Sequence, residues 1–353
     1  MTVAEAWRRL EGAFDRARES AVAELAEKDY VIGGARTRLR VVGKDLAEHF
    51  ENSFFHLRSG LRADEVPDLC VDAWDAAVSG VPNPLAGQRC GDAASTVDGG
   101  VLTRAEDDRH LVFERGETLT WLDRHTRRVL AWRRRADALP LIELAKPLGP
   151  LLTVFLRDRD VHTVHGALVA TEHGGALVAG PSGTGKSTCA LLCAEAGFDY
   201  LGDDYVAIDR TACGAFTGHS LFASGRISRD RPDHVPSLAR GAIPGRPPAE
   251  PKALLLLRHV AGAKLGTSVP LRVLLLPRVA RTSTTGVRPA GKAETFRVLA
   301  GSSFPISAPR LDRNGVEFFA ALAERLPAYH LELGDELAEI PRRVRGVLEA
   351  TPP

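Results

Sequence analysis

The chain has 353 residues, room for roughly two domains, and its 44% hydrophobic and 26% charged residues are typical of a soluble globular protein. A net charge of +1 argues against a global basic field directed at nucleic acid. Met1–Ala26 is charged throughout and no apolar run reaches about 18 residues, so neither a signal peptide nor a membrane span is expected.

Residues 4–27 carry Trp7, Leu10, Phe14, Ala17, Ala21 and Leu25 at gaps of three and four, which predicts an amphipathic helix. Acidic residues share its polar face, so packing on a protein core fits better than a membrane surface. Tyr30–Ile32, Gly33-Gly34 and Leu39–Val42 read as a hairpin. Leu69–Trp74 and Ser95–Leu102 read as further strands. Residues 111–132 read as a β-meander with turns near Glu114–Gly116 and Asp123–His125. Arg127, Arg128, Arg133, Arg134 and Arg135 form the most basic stretch. A solvated hairpin edge is the expectation there, and a phosphate- or peptide-binding face the alternative. Residues 1–140 are thus expected to be an N-terminal α+β domain, for substrate recognition or scaffolding.

Residues 141–158 are apolar with helical spacing and lead into a second domain, 141–353. Strands are expected at Val164–Ala170 and Ala176–Ala179, then a helix ending at Gly197, then strands at Tyr200–Leu201 and Tyr205–Ile208. Arg226–Pro251 is rich in Pro, Arg and Gly and reads as a mobile loop. Leu254–Leu257 and Val273–Leu276 are short apolar runs, as buried strands are. Residues 292–300 and 315–326 read as helices and Tyr329–Leu333 as a strand. The five cysteines (Cys70, Cys90, Cys189, Cys193, Cys213) are odd in number and lack zinc-site spacing, and Cys189 and Cys193, four apart on the helix after the glycine loop, read as small buried apolar residues, with a metal or redox pair the alternative. A reduced, cytoplasmic setting follows.

The chemistry concentrates in one segment. Gly180-Pro181-Ser182-Gly183-Thr184-Gly185-Lys186-Ser187 matches G-x₄-G-K-[ST], the P-loop pattern, with Thr188 following it. An apolar strand runs into it and a helix leaves it, as the motif requires. Gly183 and Gly185 let backbone amides converge on phosphate oxygens, and the helix N-terminus adds partial positive charge. Lys186 is placed to reach β- and γ-phosphates, and the Ser187 hydroxyl to ligate Mg²⁺, so ATP and Mg²⁺ are the implied ligands.

Asp203-Asp204 follows directly after the P-loop helix. Two adjacent carboxylates repel each other unless a cation lies beside them. One can hold Mg²⁺ while the other takes the proton from an attacking hydroxyl. Upstream, His165 in Val164-His165-Gly166 opens the strand before the P-loop strand. It could donate a hydrogen bond to transferred phosphate, although a lone histidine is more often structural.

Together, Val164-His165-Gly166, Gly180–Ser187 and Leu201-Gly202-Asp203-Asp204-Tyr205-Val206 resemble the C-terminal catalytic domain of HPr kinase/phosphorylase. That family shares its nucleotide fold with ATP-dependent phosphoenolpyruvate carboxykinase. The resemblance implies a phosphotransferase acting on a Ser hydroxyl with ATP·Mg²⁺. By motif position Asp203 would be the general base, Asp204 and Ser187 would lie at the metal, and His165 would sit near the transferred phosphate. A looser likeness, to HPr-kinase-related proteins of bacterial peptide-tailoring gene clusters, takes in Ser220–Arg226, Lys252–Leu254, Leu276–Val279 and Tyr329–Gly334. Arg226, Lys252 and Arg278 are the candidates for basic residues completing the phosphate site, each with a plain surface cation as the alternative. The family's Glu-x-Arg-Gly element after the acidic pair is replaced here by Ser224-Gly225-Arg226, a departure that bears on HPr as the acceptor and on the reverse reaction.

The expected fold class is α/β (α+β overall), a mixed β N-terminal domain followed by a P-loop kinase domain of the HPr kinase / phosphoenolpyruvate carboxykinase type. The expected function is an ATP-dependent kinase transferring the γ-phosphate to a Ser/Thr hydroxyl of a peptide or protein. The alternatives are a small-molecule kinase on the same fold and a non-catalytic, nucleotide-dependent regulatory protein. The expected partner is a peptide or protein acceptor, with no nucleic acid and no membrane. A homo-oligomer is compatible with the sequence.

Overall fold

A computed structural model of the chain describes all residues except 21–23, 61–64, 89–90, 92, 107, 229–234, 236–241, 245–251, 261, 281, 308–312 and 353. The fold is mixed α/β with several sheets. Two compact units divide it, Met1–Phe155 and Leu156–Pro353. No helix among the described residues is long and apolar enough to cross a membrane.

The first unit opens with helix α1 (Val3–Arg18), started by a reciprocal cap. The Thr2 hydroxyl accepts from the Glu5 amide and the Glu5 carboxylate accepts from the Thr2 amide. Trp7, Leu10, Ala13, Phe14 and Ala17 are buried, the face that the spacing indicates. The helix stops at Arg18, short of the expected residue 27. Leu25 begins strand β1 (Leu25–Ile32) and is 38% exposed, because its backbone pairs with Val42 of β2 (Ala35–Val42). Its place in the helical period is a coincidence overridden by sheet pairing. Gly33 and Gly34, at φ 57° and 81°, make the two-residue turn whose left-handed backbone suits a hairpin.

After α2 (Lys44–Phe54) the chain adds β3 (Leu69–Asp75) and the short α3 (Ala76–Ser79). It then adds β4 (Ala93–Val97), β5 (Gly100–Ala105), β6 (His110–Arg115), β7 (Thr118–Asp123) and β8 (Arg128–Arg133). The single strand expected over Ser95–Leu102 is two, because Asp98 and Gly99 both take positive φ and turn the chain. The sheet order is β1-β2-β3-β8-β7-β6-β5-β4. Strand β8 therefore lies inside the sheet, and the arginine stretch is not a solvated edge. Arg128 pairs with Asp72 and Glu11, Arg134 with Glu117, and Arg135 with Asp137. Arg133 is fully buried, donating to the Leu119 carbonyl and to Glu143, which Arg115 also holds at 2.7 Å. Arg128 and Arg133 serve the fold, while Arg127, Arg134 and Arg135 remain exposed.

Glu143 sits on α4 (Leu141–Ala145), tying that helix to the first unit, and α5 (Gly149–Arg157) follows. The single helical stretch expected over 141–158 is thus broken. Pro147 disfavours helical backbone at Lys146, and Leu148 turns at φ 63°.

The second unit contains β9 (His162–Thr171), β10 (Gly174–Ala179), α6 (Lys186–Glu195), β11 (Asp199–Gly202), β12 (Tyr205–Arg210) and β13 (Phe216–His219). Next come β14 (Ser224–Ser228), β15 (Ala242–Ile243), β16 (Lys252–Leu256), β17 (Ser268–Val279) and β18 (Gly286–Pro289). Helices α7 (Lys292–Ser307) and α8 (Arg313–Arg325), strand β19 (Ala328–Leu333) and helix α9 (Glu339–Ala350) complete it. The main sheet runs β10-β9-β12-β13-β17-β19-β18, and β10 also pairs in parallel with β17, so five strands close a circuit. Leu168, Leu177, Leu274, Phe319 and Leu322 form its core. A small separate sheet, β14-β16-β15, carries Arg226 and Lys252. The loop expected over Arg226–Pro251 lies mostly outside the described residues. Arg226–Ser228 and Ala242–Ile243 of that stretch are strand.

Candidate active site

Strand β9 lies between β10 and β12, and its register sets three sequence elements side by side. Gly166 pairs with Ala179, the last residue before the glycine loop, and His165 pairs with Tyr205, the residue after Asp204. Segments far apart in sequence therefore meet at one sheet end. Gly166 has to be glycine, since a Cβ there would stand 2.8 Å from the Val178 carbonyl oxygen.

The loop 180–185 links β10 to α6. Gly185 caps the helix at φ 99°, with no side-chain hydrogen bond to its first amides, which leaves those donors for an anion. A Cβ at Gly185 would also overlap the Leu333 side chain. The Thr184 hydroxyl donates to the Pro181 carbonyl at 3.0 Å. Lys186 is buried, and its Nζ donates to the carbonyls of Gly180 at 2.7 Å and Pro181 at 2.9 Å. Burial pulls the Lys186 pKa down, and the carboxylates of Asp203 and Asp204 oppose that.

Asp203 is 5% exposed. Its Oδ1 accepts from the Asp204 amide at 2.9 Å, while its buried Oδ2 meets no hydrogen-bond partner of good geometry among the described residues. Burial pushes its pKa up and the neighbouring Asp204 adds to the rise, against the Ser187 hydroxyl, the Lys252 ammonium and the Arg226 backbone. An unpartnered, desolvated carboxylate oxygen is poised for a proton or a cation. Asp204 takes φ 73°, a left-handed backbone that a non-glycine residue adopts at a cost of about 1–3 kcal/mol. That turn brings its Oδ1 to 3.3 Å from Nδ1 of His165, whose amide donates to Ser303 Oγ at 3.1 Å.

These groups open onto one cleft of about 710 Å³ within the second unit. Its lining brings together His165, Ser182, Gly183, Gly185, Lys186, Ser187, Thr188, Asp203, Asp204, Arg226 and Lys252. Gly180, Pro181 and Thr184 shape the loop from outside this lining. Arg278 is not brought in. It stands on the exposed face of β17 and pairs with Glu332, which Arg288 also holds, while its neighbour Val279 lines the cleft.

Sequence reasoning missed the apolar wall of Leu191, Leu333, Leu337 and Ile340, and Asp335 beside it. One signal was available: Leu333-Gly334-Asp335-Glu336 repeats the form of Leu201-Gly202-Asp203-Asp204. No group of three or more His, Cys, Asp or Glu among the described residues is arranged to hold a metal. Ser187 and the acidic pair could hold Mg²⁺ that also rests on phosphate oxygens, the usual way this ion is bound. The orphaned Asp203 Oδ2 fits that donor set.

No family model matches the chain, and no curated protein matches it. Among solved structures, the Hpr(Ser) kinase/phosphatase from Coxiella burnetii is similar at 14% identity and a TM-score of 0.30, over 53% of this chain and 95% of that one.

Proposed function

We propose that the protein is an ATP-dependent phosphotransferase that phosphorylates a Ser/Thr hydroxyl of a peptide or protein. The observation that carries this reading is Asp203: a buried carboxylate with a raised pKa and an unpartnered oxygen, opening on the same cleft as the glycine loop and Lys186. A protein that only senses nucleotide has no need of a base there. The likeness of the three motifs to the HPr kinase pattern supports the reading, as does their convergence through the register of β9.

ATP·Mg²⁺, as substrate, supplies the phosphoryl group and the charge neutralisation. The loop amides and the start of α6 would bind its phosphates, with Gly183 and Gly185 keeping the backbone open to them. Lys186 would exchange its carbonyl partners for phosphate oxygens. Ser187 and Asp204 would take the metal. Asp203, more basic than an ordinary aspartate, would accept the proton of the acceptor hydroxyl. His165, held by Asp204 and Ser303, would donate to a phosphoryl oxygen. Arg226 and Lys252 would add positive charge across the cleft.

The test is incubation of the full chain with ATP·Mg²⁺ and Ser-containing peptides, including those encoded by neighbouring genes, read by intact mass. A gain of one phosphate on a peptide Ser or Thr supports the reading. ATP hydrolysis with no phosphorylated product in any acceptor sinks it.

A further inference from the structure

A second cleft, of about 680 Å³, shares His165 and Ser182 with the first and is otherwise walled by Pro181 and by α7, including Glu294, Arg297 and Gly301. Nothing in the nucleotide reading uses it. In-line transfer requires the attacking oxygen to approach the terminal phosphate opposite the leaving oxygen. The lining of the first cleft holds, besides the acidic pair and Thr188, the apolar side chains of Leu191, Leu337 and Ile340, which suit a nucleoside. The terminal phosphate then lies near His165 and Ser182, where the second cleft begins.

Arg297 gives that cleft its chemistry. It is exposed, its Nε donates to the Ala293 carbonyl at 3.3 Å, and it makes no ion pair among the described residues. Glu294, by contrast, lies 3.1 Å from His330 Nε2. The cleft therefore presents a guanidinium with no ion pair among the described residues, a carboxylate turned to His330, and the small residues Gly301 and Ser302.

Resting on the phosphotransferase reading, we infer that this second cleft is the acceptor site and takes a peptide segment with an acidic residue close to its Ser or Thr, held by Arg297. The guanidinium binds the acidic side chain, and the hydroxyl enters between Ser182 and His165 toward Asp203. In the transfer, the hydroxyl oxygen forms a bond to the γ-phosphorus, the bond from that phosphorus to the β,γ-bridging oxygen breaks to leave ADP, and the hydroxyl proton passes to Asp203.

Two Ser-centred nonapeptides test this, one with Glu at the flanking positions and one with Lys, each with the full chain and ATP·Mg²⁺. The Glu peptide is expected to have kcat/KM higher by about fivefold or more, the scale of an exposed ion pair added to an avoided repulsion. Arg297→Glu should abolish or reverse that preference while ADP affinity stays the same. Gly301→Phe is a second probe. Open space surrounds a Cβ at Gly301, so the ring can fill the cleft without a clash at its base. It should raise the KM for the peptide and leave ADP binding alone. Peptide phosphorylation without charge preference, or a preference that survives Arg297→Glu, overturns the inference and leaves the phosphotransferase reading standing. Intact ADP binding with no phosphorylated acceptor contradicts the phosphotransferase reading, and the inference with it.

Discussion

His165 Nδ1 lies 3.3 Å from Asp204 Oδ1, joining β9 to the turn between β11 and β12. The contact exists because Asp204 adopts φ 73°, so the acidic turn is held in a conformation that serves this arrangement. With Asp204 as a metal ligand, Asp204→Asn should raise the Mg²⁺ concentration needed for half-maximal turnover by about tenfold or more. A Mg²⁺ titration at fixed ATP checks this, and an unchanged requirement counts against the assignment.

Lys186 is expected to be indispensable. Its ammonium is buried and, among the described residues, donates to the Gly180 and Pro181 carbonyls. Lys186→Ala should lower ATP-dependent turnover by about 10²–10³-fold, as the loss of a preorganised charge-stabilising donor does. Steady-state ATP turnover measures it.

Much of this site was legible in the sequence because phosphate chemistry needs specific residues at fixed spacing. Gly180–Ser187, Asp203-Asp204 and His165 were singled out that way, and the structure brings His165, Ser182, Gly183, Gly185, Lys186, Ser187, Asp203 and Asp204 to one cleft. The apolar wall of Leu191, Leu333, Leu337 and Ile340 was not, since apolar side chains lining a cleft look like core in a linear sequence. The arginine stretch failed for a related reason. Charge alone does not show whether a strand is central, and β8 is flanked on both sides. The expected helix ran on to residue 27 because Ala21 and Leu25 continue its period, whereas α1 ends at Arg18 and Leu25 pairs with Val42 in the sheet. Helices α2 and α9 escaped notice because their neighbouring segments lacked clear start and stop signals.

The buried charges of the first unit should matter for stability. Glu143 neutralises both Arg115 and Arg133, and burial already pushes the Arg133 pKa down. Glu143→Ala leaves two guanidiniums without their carboxylate and should cost about 3–5 kcal/mol. Urea denaturation of the full chain, followed by the fluorescence of Trp121 and its neighbours, reads the loss.

Gly185→Ala should destabilise the loop, because φ 99° is strained for alanine and the Cβ meets Leu333. The expected cost is about 1–3 kcal/mol from the backbone alone. ADP affinity should fall with it. Thermal unfolding with and without ADP separates the two effects.

The raised pKa of Asp203 has a definite sign in stability. Its folded pKa lies above the unfolded value near 3.8, so the folded state binds the proton more readily. This group therefore lowers stability at neutral pH, and the cost fades as pH falls through the folded pKa toward 3.8. Asp203→Asn should raise the Tm at pH 7 in the absence of nucleotide and metal, and the gain should shrink on acidification.

The central claim is that Asp203 takes the proton of the acceptor hydroxyl. Phosphate transfer by Asp203→Asn, measured in a single turnover against the best peptide acceptor and alongside ADP affinity, tests it most directly. The account predicts transfer reduced by about 10²-fold or more with ADP affinity retained. Transfer at the wild-type rate would contradict it.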